Sequence, residues 1–109
     1  GGGWASGPTA EAIEAAHAAL ECALVVLTDG SEAKIEKPEA GSLLVEAVKV
    51  SMAVKKPAVR EMACAVAQFG VARVLGAPGG VLLQAVGPAL ADPHAGVRVA
   101  ALGAVGAVV

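Results

Sequence analysis

Aromatic side chains are almost absent from this chain of 109 residues, which has one Trp, one Phe and no Tyr. A hydrophobic core must therefore be built mainly from Ala, Val and Leu, in a sequence that is 56% apolar. Small side chains let helices pack closely, because their axes can approach one another. The length suits one domain with one modest core. Together with the small side chains, this leads us to expect a single helical domain.

Cysteine and histidine are scarce too, with two of each. Cys22 and Cys64 form no Cys-x-x-Cys pair, and the histidines at 17 and 94 are far apart, so the spacing matches no zinc motif. We predict no metal site and no cofactor. Both cysteines lie on helical patterns, where a buried, reduced thiol is the usual state, and this favours a reducing intracellular compartment.

Sequence patterns that indicate catalysis are also missing. Neither His17 nor His94 has a Ser, Cys or Asp at a spacing typical of a catalytic triad. The glycine runs at residues 1–3 and 76–80 lack the Lys-Ser/Thr that a phosphate-binding loop requires. We predict that the protein is not an enzyme and takes no small-molecule substrate. An enzyme that uses His17 or His94 is the minor alternative.

Charge and hydropathy exclude two further classes of function. The net charge of −2 argues against a nucleic-acid binder, which normally carries a strongly basic surface. The longest uncharged stretch, residues 74–91, contains Pro78 and Pro88 and does not provide the ~20 apolar residues of a membrane-spanning helix. We therefore expect a cytoplasmic protein that binds neither nucleic acid nor membrane.

The two ends of the sequence suggest a piece of a longer protein. It begins with three glycines rather than Met, and it ends in an apolar run over residues 99–109. Solenoid ends normally carry a polar capping face, which this run lacks. We expect residues 1–8 to form a glycine-rich N-terminal segment and residues 9–109 to form a partial helical array.

An internal repeat is the most informative feature that the sequence does contain. A shift of 38 residues aligns residues 41–71 with residues 79–109 without a gap, and nine of the 31 paired positions are identical. The match of Val59-Arg60 with Val97-Arg98 carries most weight, because the chain has only three arginines. A period of this length is typical of solenoids built from stacked helix pairs.

Apolar residues at spacings of three and four predict five helices separated by breaks rich in Gly, Pro and charge. The expected helices span about residues 9–27, 38–54, 57–69, 80–91 and 95–109. Pro57 suits a first helical turn, Gly70 suits a helix end, and Pro88 should loosen the fourth helix. Residues 29–39 predict a polar connector with little to bury. One helix followed by two pairs makes about two and a half repeats.

The second helix of each pair begins in a similar way. Lys56-Pro57-Ala58-Val59-Arg60 precedes Ala63, and Asp92-Pro93-His94-Ala95-Gly96-Val97-Arg98 precedes Ala101. An Asp-Pro turn, then Val-Arg, then Ala three residues later resembles the HEAT repeat. The resemblance implies an all-α solenoid of antiparallel helix pairs, in which Asp and Arg side chains of neighbouring repeats hydrogen-bond as a ladder.

A narrower resemblance covers about residues 43–105. The basic turn Lys55-Lys56-Pro57, the helix end Gln68-Phe69-Gly70 and the later Asp92-Pro93 turn with Val97-Arg98 follow one another in this order. The order is similar to the central HEAT repeats of a TOG domain, the tubulin-binding array of microtubule polymerases. This resemblance implies tubulin as the partner and the cytoskeleton as the location.

One cluster of cations predicts where a partner binds. Residues 49–60 contain four basic side chains and no acidic one. The aligned segment of the next repeat contributes two further basic side chains, His94 and Arg98. Because stacked repeats bring equivalent turns to one edge, we predict a basic partner-binding edge for an acidic surface, formed by Lys55, Lys56, Arg60, His94 and Arg98.

Two alternatives to this binding edge stay open. The lysines can form a merely solvated turn while Arg60 and Arg98 serve as ladder residues. The chain can also be a generic HEAT scaffold, of the transport, chromosome or phosphatase-regulatory type, that binds no tubulin.

Overall fold

The computed structural model describes residues 9–30 and 33–108, except for the side chains at positions 12, 13 and 16. Within these residues the chain is all-helical, as predicted. Its helices are α1 (Ala10–Leu27), α2 (Ala40–Met52), α3 (Pro57–Arg73), α4 (Gly79–Val86) and α5 (Ala95–Val108), with a short 3-10 helix (Gly87–Ala91) after α4. None of these helices is long and apolar enough to cross a membrane. The predicted segment 1–8 lies outside the described residues.

Two prolines act as the sequence predicts. Pro57 is the first residue of α3, where its missing N–H removes no helical hydrogen bond. Pro88 interrupts the fourth helix, because a proline inside a helix cannot donate and its ring collides with the preceding turn. The backbone tightens into the 3-10 helix at this point, so the α-helical part ends at Val86.

Gly70 is not the C-terminal stop that the sequence predicts for α3. The helix continues through it to Arg73, and Gly70 is buried. Close packing is the reason, because a Cβ at this position would lie 2.7 Å from both methyl carbons of Leu44 on α2. Glycine here allows α2 and α3 to approach each other rather than ending the helix.

Helix α3 lies at the centre of the fold. It contacts all four other α-helices, whereas α1 and α5 share no contact among the described residues. Helix α2 contacts α4 as well as α3, and α5 also packs on α4 and on the 3-10 helix. These contacts arrange α1, α3 and α5 in one row, with α2 and α4 beside it.

The 38-residue repeat of the sequence is also a repeat of burial. In the described part of the chain, six pairs of residues at this separation are buried at both positions: Leu44/Leu82, Val48/Val86, Ser51/Ala89, Val59/Val97, Ala63/Ala101 and Val66/Ala104. The first three pairs compare α2 with α4 and the 3-10 helix, and the last three compare α3 with α5. Equivalent positions of each helix pair thus form the core.

The connector between α1 and α2 is packed more closely than its polar composition predicts. Ile35 forms an isolated β-bridge with Val74. The Ile35 N–H donates to the carbonyl of Arg73 at 2.7 Å, and the Leu75 N–H donates to the carbonyl of Ile35 at 2.9 Å. The expectation of little to bury is wrong at Ile35, because its side chain packs against the core beside the end of α3.

The two cysteines have different environments, and neither is in a disulfide. Cys64 is buried, as predicted, with its sulfur 3.9 Å from that of Met52. Cys22 is exposed, which corrects the prediction of a buried thiol, because its face of α1 borders an open apolar groove. Burial raises the pKa of the Cys64 thiol to about 11, and the negative charges of Asp92 and Glu61 add to the increase.

Replacement of Gly70 by Ala should destabilise the protein, although Ala is the better helix former. The gain in helix propensity is about 1 kcal/mol, whereas a methyl group forced into a packed contact costs roughly 1–3 kcal/mol. Gly106→Ala in α5 is the matched control, because a Cβ there would meet open space. Urea denaturation followed by circular dichroism measures both free energies of unfolding. Equal stabilisation by the two substitutions would contradict close packing of α2 on α3.

The cysteines should differ strongly in reactivity. A maleimide at neutral pH should modify Cys22 within minutes and Cys64 only as the protein unfolds, since the reactive thiolate at Cys64 is both inaccessible and rare. Mass spectrometry of the labelled chain measures the two rates. A Cys22→Ser variant should then label only in denaturant, and rapid labelling of that variant in buffer would refute the burial of Cys64.

Candidate partner-binding site

The predicted site residues lie in and after two turns, one before α3 and one before α5. Lys55 and Lys56 belong to the first turn, where the backbone at Lys56 is extended until Pro57 starts the helix. Both lysines are exposed, and neither side chain forms a hydrogen bond or ion pair with the described residues. His94 lies in the second turn and is exposed as well.

Arg60, in the first turn of α3, folds back over the residues that precede the helix. Its Nη1 donates to the carbonyl oxygens of Val54 at 2.9 Å and Lys55 at 2.6 Å. Carbonyls between two helices have no partner within a helix, so these bonds satisfy acceptors that would otherwise need water. The Arg60 side chain is only 12% exposed.

The other edge of the same guanidinium binds Asp92, which follows the 3-10 helix. Nε donates to Oδ2 at 2.8 Å and Nη2 donates to Oδ1 at 3.1 Å. This two-point contact is the strongest geometry available to an arginine and a carboxylate. The Asp92 side chain is 8% exposed, so the pair is shielded from water. A single arginine therefore joins the turn before α3 to the turn before α5.

Asp92 also shapes its own turn. Its Oδ1 accepts a hydrogen bond from the His94 N–H at 3.0 Å, an arrangement that favours turn formation after Asp. Its backbone carbonyl accepts a bond from Nη1 of Arg98 at 2.7 Å. Arg98 thus binds the carbonyl six residues before it, as Arg60 binds that of Val54, and the two bonds are 38 residues apart.

The pair shifts the pKa of both partners toward their charged forms. Hydrogen bonds from Arg60 lower the pKa of Asp92, and the His94 N–H adds to the effect. The hydrogen bond to Asp92 likewise raises the pKa of Arg60, against the opposing effect of burial. Both groups are therefore fully ionised at neutral pH.

The five predicted site residues consequently have two kinds of environment. The Arg60 guanidinium binds two carbonyls and a carboxylate of its own chain, so it has little hydrogen-bonding capacity left for a partner. The other four side chains are exposed: Lys55, Lys56, His94 and Arg98. Arg98 makes one hydrogen bond to the described residues, through Nη1.

A second structural arginine was missed by reasoning from the sequence. Arg73, at the end of α3, donates from Nε to the carbonyl of Ala33 at 2.9 Å and from Nη1 to the carbonyl of Leu27 at 3.1 Å. It also forms an ion pair with Asp29 at 3.3 Å. Its position outside the repeated Val-Arg pair was the only sign that it differs from the other two arginines. The path of the connector determines the contact, and no sequence pattern predicts that path.

The alternative of catalysis rests on His17 and His94. His17 lies on α1 with Nδ1 3.6 Å from Oε1 of Glu21, one helical turn later. Among the described residues, no group of three or more His, Cys, Asp and Glu side chains is arranged to hold a metal ion. The backbone N–H of His94 donates to the Asp92 carboxylate at 3.0 Å, and its backbone carbonyl accepts from the Arg98 N–H at 3.1 Å.

An apolar groove of about 420 Å³ lies on the opposite part of the fold, between the end of α1, the connector and α2. Cys22, Leu43 and Val74 are among its lining residues, and none of the lining side chains is charged. Small-molecule sites usually combine an apolar wall with a few polar groups that orient the ligand. This groove has an apolar wall but no charged side chain that would orient a ligand.

Comparison of the chain with protein-family models, with curated proteins and with solved structures finds no match in any of the three. The features that bear on function are therefore those of this molecule alone. They are the two turns joined by Arg60 and Asp92, and the four exposed cationic or titratable side chains beside them.

Replacement of Asp92 by Asn should lower the melting temperature at neutral pH. The amide keeps the size of the side chain but removes the charge, and it leaves the shielded Arg60 cation without its counter-ion. Asp29→Asn is the matched control, because Asp29 is 48% exposed in its ion pair with Arg73 and should contribute less. Thermal unfolding followed by circular dichroism compares the variants. Equal effects at the two positions would contradict the joining role of Asp92.

The Arg60–Asp92 pair also predicts that the stability of the protein depends on pH in the acidic range. The pKa of folded Asp92 lies below the ordinary value of 3.8, so its contribution to stability is complete above that pH and is lost as pH falls toward the folded pKa. The stability difference between the natural chain and Asp92→Asn should therefore shrink as the pH is lowered from neutral to below 3.8. Urea unfolding at several pH values measures it. A difference that stays constant over this range would refute the shift.

Proposed function

We propose that this chain is a non-catalytic, protein-binding part of a HEAT-type helical solenoid, and that it binds through the edge formed by its inter-helix turns. One observation carries the proposal: Arg60 and Arg98 make the same backbone hydrogen bond, one repeat apart. A bond that recurs at the sequence period is expected where two helix pairs are equivalent units of a stack.

Burial and helix contacts support the same architecture. Six register-equivalent pairs are buried in both helix pairs, and α3 touches both α1 and α5. The Arg60–Asp92 contact has the character of the Asp–Arg ladder that the HEAT resemblance implies, because it links one inter-helix turn to the next. In a solenoid of this kind each repeat contacts only its neighbours and presents its turns along one edge.

The binding edge in this proposal consists of Lys55, Lys56, His94 and Arg98, with Arg60 as the residue that holds the two turns together. Exposed cations of this kind attract an acidic surface and increase the rate of association more than the final affinity. On the resemblance to TOG repeats, we propose tubulin as the partner and regulation of microtubule growth as the process.

A generic HEAT scaffold is the second candidate, and the Arg60–Asp92 pair itself favours it. The pair neutralises one of the five predicted cations and places a carboxylate beside the basic edge. An edge with less positive charge attracts a strongly acidic partner surface less strongly. In this alternative the segment transmits the curvature of a longer array and binds no tubulin.

Sedimentation with purified αβ-tubulin at low and moderate salt tests the proposal. The natural chain should co-sediment with tubulin in a salt-sensitive manner. Lys55→Ala/Lys56→Ala should weaken association about tenfold at low salt if each lysine contributes about 0.7 kcal/mol. Circular dichroism should confirm that the variant remains folded, since both side chains are exposed.

Lys37→Ala/Lys49→Ala is the matched control, because it removes the same charge from two exposed lysines outside the proposed edge. Binding lost in the first variant and retained in the control supports a local site. Equal loss in both indicates attraction by net charge alone and removes the edge from the proposal. If the folded natural chain does not associate with tubulin at low salt, tubulin is refuted as the partner, and the generic HEAT scaffold is the remaining candidate.

A further inference from the structure

The connector between α1 and α2 contains an extended segment with one unpaired side. Ile35 uses its N–H and its carbonyl in the parallel β-bridge at the end of α3, where Val74 is its bridge partner. Backbone groups of successive residues in an extended segment point to opposite sides, so those of Lys34 and Glu36 point away from α3. In the described part of the chain, their N–H and carbonyl groups have no hydrogen-bond partner. We call residues 34–36 the bridge segment.

The charges of the bridge segment identify what fits its unpaired side. Such an edge pairs readily with another extended segment, because its donors and acceptors are already aligned. Lys34-Ile35-Glu36 is self-complementary in the antiparallel direction: with Ile35 opposite Ile35 of a second copy, each Lys34 lies opposite a Glu36. Opposite charges directly across a pair of strands stabilise the pairing, and like charges destabilise it. A second copy of this chain is therefore the complementary occupant.

The backbone pattern of this register agrees with the positions of the free groups. In antiparallel pairing, residue pairs that exchange two hydrogen bonds alternate with pairs that exchange none. Ile35 already binds residues 73 and 75 of its own chain, so the central pair of Ile35 residues exchanges none. Each flanking pair of Lys34 with Glu36 then exchanges two. The two flanking pairs together use every free N–H and carbonyl group of Lys34 and Glu36 in both copies.

We propose that this chain forms a symmetric dimer by antiparallel pairing of two bridge segments, about a two-fold axis between the Ile35 residues. Contacts across such an axis are reciprocal, so the attraction of Lys34 to Glu36 occurs twice. Both side chains are exposed, and the Glu36 carboxylate has no ion-pair partner among the described residues. The Lys34 ammonium donates to the Ala72 carbonyl, and its other two N–H donors remain for the second copy.

The apolar groove between α1, the connector and α2 adds to this interface. The Ile35 side chain lines it together with Val26 and Leu43. Residues directly opposite in an antiparallel pair point to the same face, so the dimer places the grooves of the two copies side by side. Val26 is 53% exposed and Leu43 is 65% exposed in the single chain. Partial cover of this apolar surface supplements hydrogen bonds that contribute little net stability at a solvated edge.

The other side of the bridge explains why assembly stops at two copies. The Val74 N–H donates to the carbonyl of Gly70 at 2.8 Å, and the Val74 carbonyl accepts a bond from the N–H of Ala77 at 3.2 Å. Val74 therefore offers no free backbone group to a further extended segment. The unpaired side of the bridge segment is used up by the two-fold pairing, so we expect a closed dimer rather than an open chain of copies.

Sedimentation equilibrium of the natural chain alone, from about 1 μM to about 1 mM, measures the dissociation constant of the dimer. The average mass should rise toward twice that of one chain as the concentration increases. Lys34→Glu places two carboxylates opposite each other at both flanking pairs, and Glu36→Lys places two ammonium groups there. Each substitution should raise the dissociation constant at least about tenfold.

Lys34→Glu/Glu36→Lys is the matched control, because it keeps the net charge of the natural chain and restores both attractions in reversed order. Its dissociation constant should lie within about threefold of that of the natural chain. An equimolar mixture of the two single variants should form a mixed dimer, since every flanking pair then joins unlike charges. Circular dichroism should show that all variants remain folded, as both side chains are exposed.

Hydrogen exchange of the backbone N–H groups of Lys34 and Glu36 tests the pairing itself. Measured by NMR, their exchange should slow at least about tenfold between dilute and concentrated natural chain, because these groups are hydrogen-bonded only in the dimer. Unchanged exchange in a chain that does dimerise would show that the bridge segments are not paired, and it overturns the inference.

A substitution outside the proposed interface separates it from other modes of self-association. Leu102→Asp, on the exposed apolar side of α5, should leave the dimer intact. A dimer that this substitution abolishes, or that the single charge reversals do not weaken, has a different interface and overturns the inference. A chain that is monomeric up to about 1 mM also overturns it, and leaves the bridge segment to water or to an extended segment of another protein. None of these measurements involves tubulin, so failure of dimerisation and failure of the proposed function are distinguishable.

Discussion

The contact of Arg60 with Asp92 is the constraint around which both turns are organised. The guanidinium binds the carbonyls of residues 54 and 55 on one edge and the Asp92 carboxylate on the other, so the backbone of one turn and a side chain of the next share a single rigid group. Asp92 in turn holds the N–H of His94 and the side chain of Arg98. Arginine suits this position because its planar fork satisfies several acceptors at fixed angles.

Small residues at helix contacts let the remaining structure form around this link. Gly70 allows Leu44 to lie against α3, and Gly96 and Gly103 leave room for Glu61 and Gln68. Each glycine weakens its own helix by up to about 1 kcal/mol, and closer packing of apolar side chains offsets that loss. A chain nearly without aromatic residues can thus bury a core of Val, Leu and Ala, because its helices lie close together.

The edge formed by the inter-helix turns and the outer side of α5 present different surfaces to solvent. The edge of the turns is polar and cationic, and it suits recognition that is fast and sensitive to salt. The outer side of α5, which carries the exposed Val99 and Leu102, is apolar by contrast.

The sequence by itself determined that the described residues are all-helical, where the four breaks between the five α-helices fall and that the second and third helices repeat in the fourth and fifth, because apolar spacing and proline act locally. Of the candidate site, the sequence placed the lysines in an exposed turn. Only the tertiary structure decided that Arg60 binds Asp92, that Gly70 lies inside a helix, that Arg73 joins the ends of α1 and α3, and that Cys22 is exposed. Each of these depends on which distant residue lies opposite, and such pairings are set by packing between helices rather than by neighbours along the chain.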